Sequence, residues 1–104
     1  MNYFDLHCDT VTAMADGKAD CAVALNNSGV FERYTQAFAI WINDSVSPDI
    51  AFQKAGDYYT YFKEHILCSK NRSFAPFLTL ENAISFGNSL DNITTWKKRG
   101  VRAV

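Results

Sequence analysis

The residues best equipped for chemistry lie at the start of the chain. Asp5, His7 and Asp9 alternate through the segment FDLHCDT. On an extended strand, residues two apart point to the same side, so the three polar side chains should face one way and Leu6 and Cys8 the other. An imidazole nitrogen and a carboxylate oxygen so placed can share a divalent cation, and zinc accepts both donor types at ~2.0–2.2 Å. His7 and Asp9 are the expected ligands, with Asp5 behind them to orient His7 or to support the site more indirectly. The same pattern also suits a plain strand end whose histidine is simply hydrogen-bonded, and spacing alone leaves both readings open. Glu81 is the other carboxylate of interest, because it ends the apolar run FAPFLTL. A carboxylate at a strand end can bridge two cations, as two-metal hydrolytic sites require. It can equally be an exposed residue that opens a loop.

Other chemistries find little material. Two histidines, His7 and His65, cannot supply a Ser–His–Asp set, and His65 reads as a surface residue of a helix. The five glycines are scattered and build no phosphate-binding loop. A net charge of −1, with Lys97, Lys98 and Arg99 as the densest basic group, gives nucleic acid no footing. Cys8, Cys21 and Cys68 are odd in number and show no CxxC spacing. Reduced thiols in a cytoplasmic protein are the simplest reading, with Cys8 structural rather than nucleophilic. Met1 leads directly into a strand pattern, which argues against a secretory signal. The longest apolar run, residues 37–42, is far short of the ~20 needed to cross a membrane.

The elements that would position these residues alternate in type. Strand patterns cover residues 2–8, 36–42 (QAFAIWI), 74–80 (FAPFLTL) and 101–104. The second is continuous and aromatic-rich, as a strand buried on both faces should be. Pro76 counts mildly against the third, because proline cannot donate to a ladder. A long helix is expected over residues 48–68, with Ser47 as cap, Pro48 in the first turn, and an apolar stripe through Phe52, Ala55, Tyr59, Phe62 and Ile66. A second helix is expected over 90–99, capped by Ser89 and closed by Gly100, and a short one over 11–15. Residues 26–29 read as a turn. Strands alternating with helices imply an α/β fold with parallel pairing through right-handed crossovers. That is material for about half of a (β/α)8 TIM barrel, or for a smaller doubly wound sheet.

Four of these segments, in order, resemble the membrane (renal) dipeptidase family, a zinc peptidase branch of the metal-dependent amidohydrolases. FDLHCDT at 4–10 resembles the family's opening strand, and QAFAIWI at 36–42 its second conserved strand. FLTLENA at 77–83 resembles the metal-ligand strand in which a glutamate follows an apolar run. SLDNITTWKKRGVRAV at 89–104 resembles the following helix and strand. The resemblance implies a (β/α)8 barrel with two zinc ions, His7 and Asp9 on the first and Glu81 bridging both, and hydrolysis of a dipeptide substrate. In the family, two histidine ligands and the substrate-binding and proton-transfer residues come from later strands. Residues 1–104 are therefore expected to be the N-terminal portion of a single barrel domain, with at most one zinc well liganded, no catalytic residue of their own and no activity alone. Only residues 69–73 separate the long helix from the glutamate strand, where the family has a further strand–helix unit. Asn82 and Ala83 stand where it has glycines. Both differences suggest an internal deletion.

Two alternatives accompany this expectation. One is a truncated barrel serving as a non-catalytic structural or oligomerising module. The other is a different amidohydrolase, since HxD on the first strand is shared across that wider group. The half-barrel reading also implies a homo-oligomer formed through unpaired strand edges, and a free chain of low stability.

Overall fold

The computed structural model describes residues 1–18 and 30–104. Cys21 and the turn expected at 26–29 lie outside the described residues. The elements run β1 (Asn2–Asp5), α1 (Thr10–Ala15), β2 (Arg33–Ile40), α2 (Pro48–His65), β3 (Phe74–Leu80), a 3₁₀ turn (Ala83–Phe86), α3 (Asp91–Lys98) and β4 (Val101–Ala103). All four strands pair parallel in the order β1-β2-β3-β4. A doubly wound sheet reverses its strand order at a switch point, and these four strands show no such reversal. Among the described residues no helix is long and apolar enough to cross a membrane.

The core lies on one face of the sheet. Phe38, Ile40, Phe74, Leu78 and Leu80 from the strands meet Val11 and Met14 of α1, Ala51, Ala55 and Phe62 of α2, and Trp96 of α3. Helix α2 starts as its sequence dictates, with extended Ser47 followed by Pro48 and Asp49, although the Ser47 side chain makes no capping bond. It ends at His65, three residues short of the expected limit. The expected apolar stripe divides by depth: Ala55, Phe62 and Ile66 are buried, while Phe52 and Tyr59 are half-buried against Trp96. The 3₁₀ turn was not expected from sequence. It is fixed from α3, where Trp96 Nε1–H donates to the Ser85 carbonyl at 3.0 Å and Asn92 Nδ2 to that of Phe86 at 2.8 Å.

Arg99, which the sequence marked only as part of the densest basic group, does something more specific. Its guanidinium lies over Trp96, Tyr59 and Phe52, at 4.6, 5.1 and 5.6 Å from the ring centroids. The charge thereby joins α2 to α3 through attraction to three ring faces.

Register is set by a row of rings along the sheet. Tyr3 is opposite Tyr34, and Tyr34 is opposite Phe74; their rings follow at 5.3 and 5.5 Å. Such cross-strand aromatic pairs stabilise a sheet by about 0.2–1 kcal/mol each. Pro76 is accommodated without loss. Tyr34 N–H donates to Ser73 and Glu81 N–H donates to Ile40, so the odd-numbered residues of β3 bond β2. Alternation then turns residue 76 toward β4, and β4 begins only opposite Leu78. The N–H that proline lacks thus has no partner to lose.

The first strand departs from expectation. It ends at Asp5 rather than running to Cys8, so Asp5, His7 and Asp9 do not alternate along one regular strand.

Two substitutions test the packing. Trp96 is 1% exposed, so Trp96→Ala should cost about 3–5 kcal/mol. Gly87 has φ +62°, and a Cβ there would stand 2.9 Å from Phe52 Cβ; Gly87→Ala should cost about 1–3 kcal/mol. Urea unfolding followed by ellipticity measures both, and midpoints equal to wild type would contradict this packing.

Candidate metal centre

The site begins with the way β1 ends. The Asp5 carboxylate accepts the backbone N–H of His7 at 3.1 Å, a side-chain turn typical of aspartate. Asp5 therefore fixes the backbone of His7 rather than orienting its ring. Past this turn the chain rejoins β2. Cys8 N–H donates to Ala37 O at 3.0 Å, and Cys8 O accepts Ala39 N–H at 2.9 Å, which sets Cys8 opposite Phe38. Asp5 is opposite Gln36, so three steps of the first chain match two of the second. One extra residue is inserted, as in a β-bulge, a device that re-aims side chains. Cys8 turns its half-buried side chain to the core, and His7 and Asp9 on either side of it are exposed.

Asp9 is the residue before α1, a position where aspartate ordinarily caps the helix with its carboxylate. Here the carboxylate makes no capping bond. Its Oδ1 instead lies 3.1 Å from His7 Nε2. The backbone oxygen of Asp9 serves the helix, accepting the Thr12 hydroxyl at 2.9 Å and Ala13 N–H at 3.2 Å. The carboxylate thus takes no part in the helix start.

Glu81 arrives from β3. Its N–H donates to Ile40 O at 3.0 Å, which extends the ladder one residue past the strand. Asn82 then ties this strand end to the loop after β2: its Nδ2 donates to Ile42 O at 2.7 Å and to Asp44 Oδ1 at 2.8 Å. One donor atom from each of His7, Asp9 and Glu81 lies within 4.8 Å of the others, and all three residues are exposed. Strands β1 and β3 are separated by β2, which in a flat sheet would put them ~9.6 Å apart. The side chains therefore converge from two strand ends across a third.

The donor set fits zinc in kind: one neutral imidazole nitrogen and two carboxylates. It also fits in spacing at the first pair. Two ligands on a tetrahedral ion are ~3.3 Å apart when each bond is ~2.0–2.1 Å, and His7 Nε2 and Asp9 Oδ1 stand 3.1 Å apart. An exposed group of this kind is also ordinary surface chemistry without any ion, so the triad alone carries only a capacity for binding. Beside it, Thr12 and Trp41 join Asp9 and Glu81 around a shallow depression. A cleft of about 330 Å³ continues from there toward α2, with Lys18, Lys54 and Tyr58 on its walls. The Tyr58 hydroxyl donates to Asp16 Oδ1 at 3.0 Å, linking α2 to the end of α1. Burial and the Asp16 carboxylate push the Tyr58 pKa up.

Three of these residues escaped sequence reasoning. Trp41 could have been found, because alternation through QAFAIWI sets it opposite in phase to Ile40 and Ile42, which are buried while Trp41 is half exposed. Thr12 and Asn82 act through backbone geometry and gave no pattern. His65 is remote from the triad in its contacts and stacks on Tyr61, ring centroids 4.2 Å apart. No protein-family model matches the chain, and no curated protein matches it.

Burial raises the Cys8 thiol above its ordinary pKa of 9.0, with the Asp5 and Asp9 carboxylates acting in the same direction. A raised pKa means less thiolate at pH 8 and a slower nucleophile. Timed alkylation at pH 8 with peptide mapping should label exposed Cys68 well before Cys8, and the gap should narrow as pH rises past 9. Equal labelling rates at pH 8 would contradict the inward placement of Cys8.

Proposed function

We propose that this chain carries the first metal-binding edge of a zinc-dependent dipeptidase of the membrane dipeptidase type, on the opening strands of a (β/α)8 barrel. The observation that carries the reading is the convergence of His7, Asp9 and Glu81 from the C-terminal ends of β1 and β3. In barrel enzymes the active site lies at that end of the strands. The sequential parallel order, with the core on one face, is how a barrel wall is laid down.

In this reading His7 through Nε2 and Asp9 through Oδ1 would hold one zinc, and Glu81 would be the residue available to a second. Zinc held there would lower the pKa of a bound water and polarise the amide carbonyl of a dipeptide. The chain's own part is to present ligands. Asp5 holds the turn that exposes His7, the Asp9 backbone oxygen serves α1, and Asn82 anchors the strand end that bears Glu81. A cytoplasmic setting, with Cys8 and Cys68 as free thiols, is part of the same proposal. Among the described residues β1 pairs with β2 alone, and that edge favours the second reading, a non-catalytic module that assembles through its sheet.

Zinc titration by calorimetry, with metal content measured after dialysis, tests the proposal. Wild type should retain about one zinc per chain. His7→Ala and Asp9→Ala should each weaken binding by about 100-fold, and Glu81→Ala by about tenfold. Wild type that binds no zinc above background would defeat the dipeptidase reading. A metal-free, well-folded oligomer would select the second. Dipeptide turnover by the 104-residue chain should be negligible even with zinc added.

A further inference from the structure

Helix α1 connects the exposed triad to a contact at its opposite end. Asp9 stands immediately before Thr10, the first residue of α1, and Asp16 immediately after Ala15, the last. At about 1.5 Å per residue the helix is only ~9 Å long, so a displacement at one end reaches the other with little to absorb it. The far end is firmly built. Gly17 N–H donates to the Met14 carbonyl at 3.0 Å and Lys18 N–H to that of Ala13 at 2.7 Å, with Gly17 at φ +74°. This pair of bonds around a left-handed glycine is a Schellman stop, and it fixes Asp16 to the helix end.

Asp16 breaks a local rule there. The C-terminal end of a helix carries partial negative charge and disfavours a carboxylate, and the last turn of α1 holds no basic residue to offset it. The carboxylate is met instead from α2: the Tyr58 hydroxyl donates to its two oxygens, at 3.0 and 3.3 Å. A charged acceptor makes such a bond stronger than a neutral one. Burial and the same carboxylate hold the hydroxyl above its ordinary pKa of 10.0, so it remains a donor.

The helix needs this contact for its orientation. One so short is marginal without tertiary support. Its buried residues, Val11 and Met14, are neighbours on one side, and two neighbouring contacts leave a helix free to roll about them. Asp9 and Asp16 are seven residues apart, close to two turns of about 3.6 residues, so they lie together on another side. A roll would carry both. The Asp9 carboxylate makes no capping bond that would hold it independently.

We propose that Tyr58 is a positioning residue for the metal edge: its bond to Asp16 stops α1 from rolling, and α1 in turn aims the Asp9 carboxylate at the cation site beside His7. The inference rests on the zinc reading of His7, Asp9 and Glu81, and adds to it a residue that supplies no ligand.

Competition for zinc against a chromophoric chelator tests it, with urea midpoints measured in parallel. Tyr58→Phe, which keeps the ring and deletes the hydroxyl, should weaken zinc binding about fivefold. Asp16→Ala should do the same, whereas Asp16→Asn, whose amide oxygen still accepts the hydroxyl, should stay within about twofold of wild type. In an Asp9→Ala background Tyr58→Phe should have no further effect, because the ligand it aims is gone. A tyrosine that only stabilises the fold would lower the urea midpoint and leave the zinc affinity of the folded chain unchanged, and that result would overturn the proposal. So would a Tyr58→Phe loss that persists in full without Asp9. Wild type that binds no zinc would defeat the metal reading and this inference together, whereas zinc-binding wild type with an indifferent Tyr58→Phe would defeat this inference alone.

Discussion

The grip of β2 on Cys8 is the constraint on which the site depends. Both backbone groups of Cys8 are bonded to β2, one residue out of step with the ladder that ends at Asp5. The thiol is thereby committed to the core, and its two neighbours must stay outside. Everything proposed for His7 and Asp9 rests on that slip. Without the extra residue, Cys8 would lie opposite Ala39, and side chains past Asp5 would exchange faces. Two backbone hydrogen bonds and one aspartate side chain hold the arrangement. Such a cost is tolerated mostly where a sheet edge must aim particular groups.

Much of the fold was legible in sequence. The alternation of strands and helices, the span of β3, the start of α2 at Pro48 and the close of α3 at Gly100 all follow from period, a proline in the first turn and a positive-φ glycine. Those signals are local, and local physics decides them. The sheet order is not local, and the right-handed crossover rule supplied the parallel pairing but could not choose between sequential and reversed order. The 3₁₀ turn at Ala83–Phe86 was invisible for a similar reason. Its carbonyls are satisfied by Trp96 and Asn92, residues of α3 that no short window brings near.

The triad was legible for a reason that turned out to be only partly right. Alternation marked Asp5, His7 and Asp9 as a set, yet the strand stops at Asp5. His7 and Asp9 meet through a bulge and a helix start instead. Asp5 belongs to the site as the residue that makes the turn, a role carried by the backbone and silent in a pattern of side-chain types. Glu81 could be placed by its position after an apolar run, because the ladder does extend one residue beyond β3. Its closeness to His7 needed the sheet order, and the stabilising bond from Asn82 needed the loop after β2.

The aromatic cradle around Arg99 has a consequence for how the two longer helices stay together. A cation over ring faces has no counter-ion that dissolved salt can displace, and a quadrupole's field decays too steeply for distant charges to matter. The seam between α2 and α3 is thus insulated from ionic strength in a way that a carboxylate partner would not allow. The flat guanidinium can lie against several rings at once, whereas a compact, strongly hydrated ammonium cannot. Lysine at position 99 would keep the charge and lose the fit.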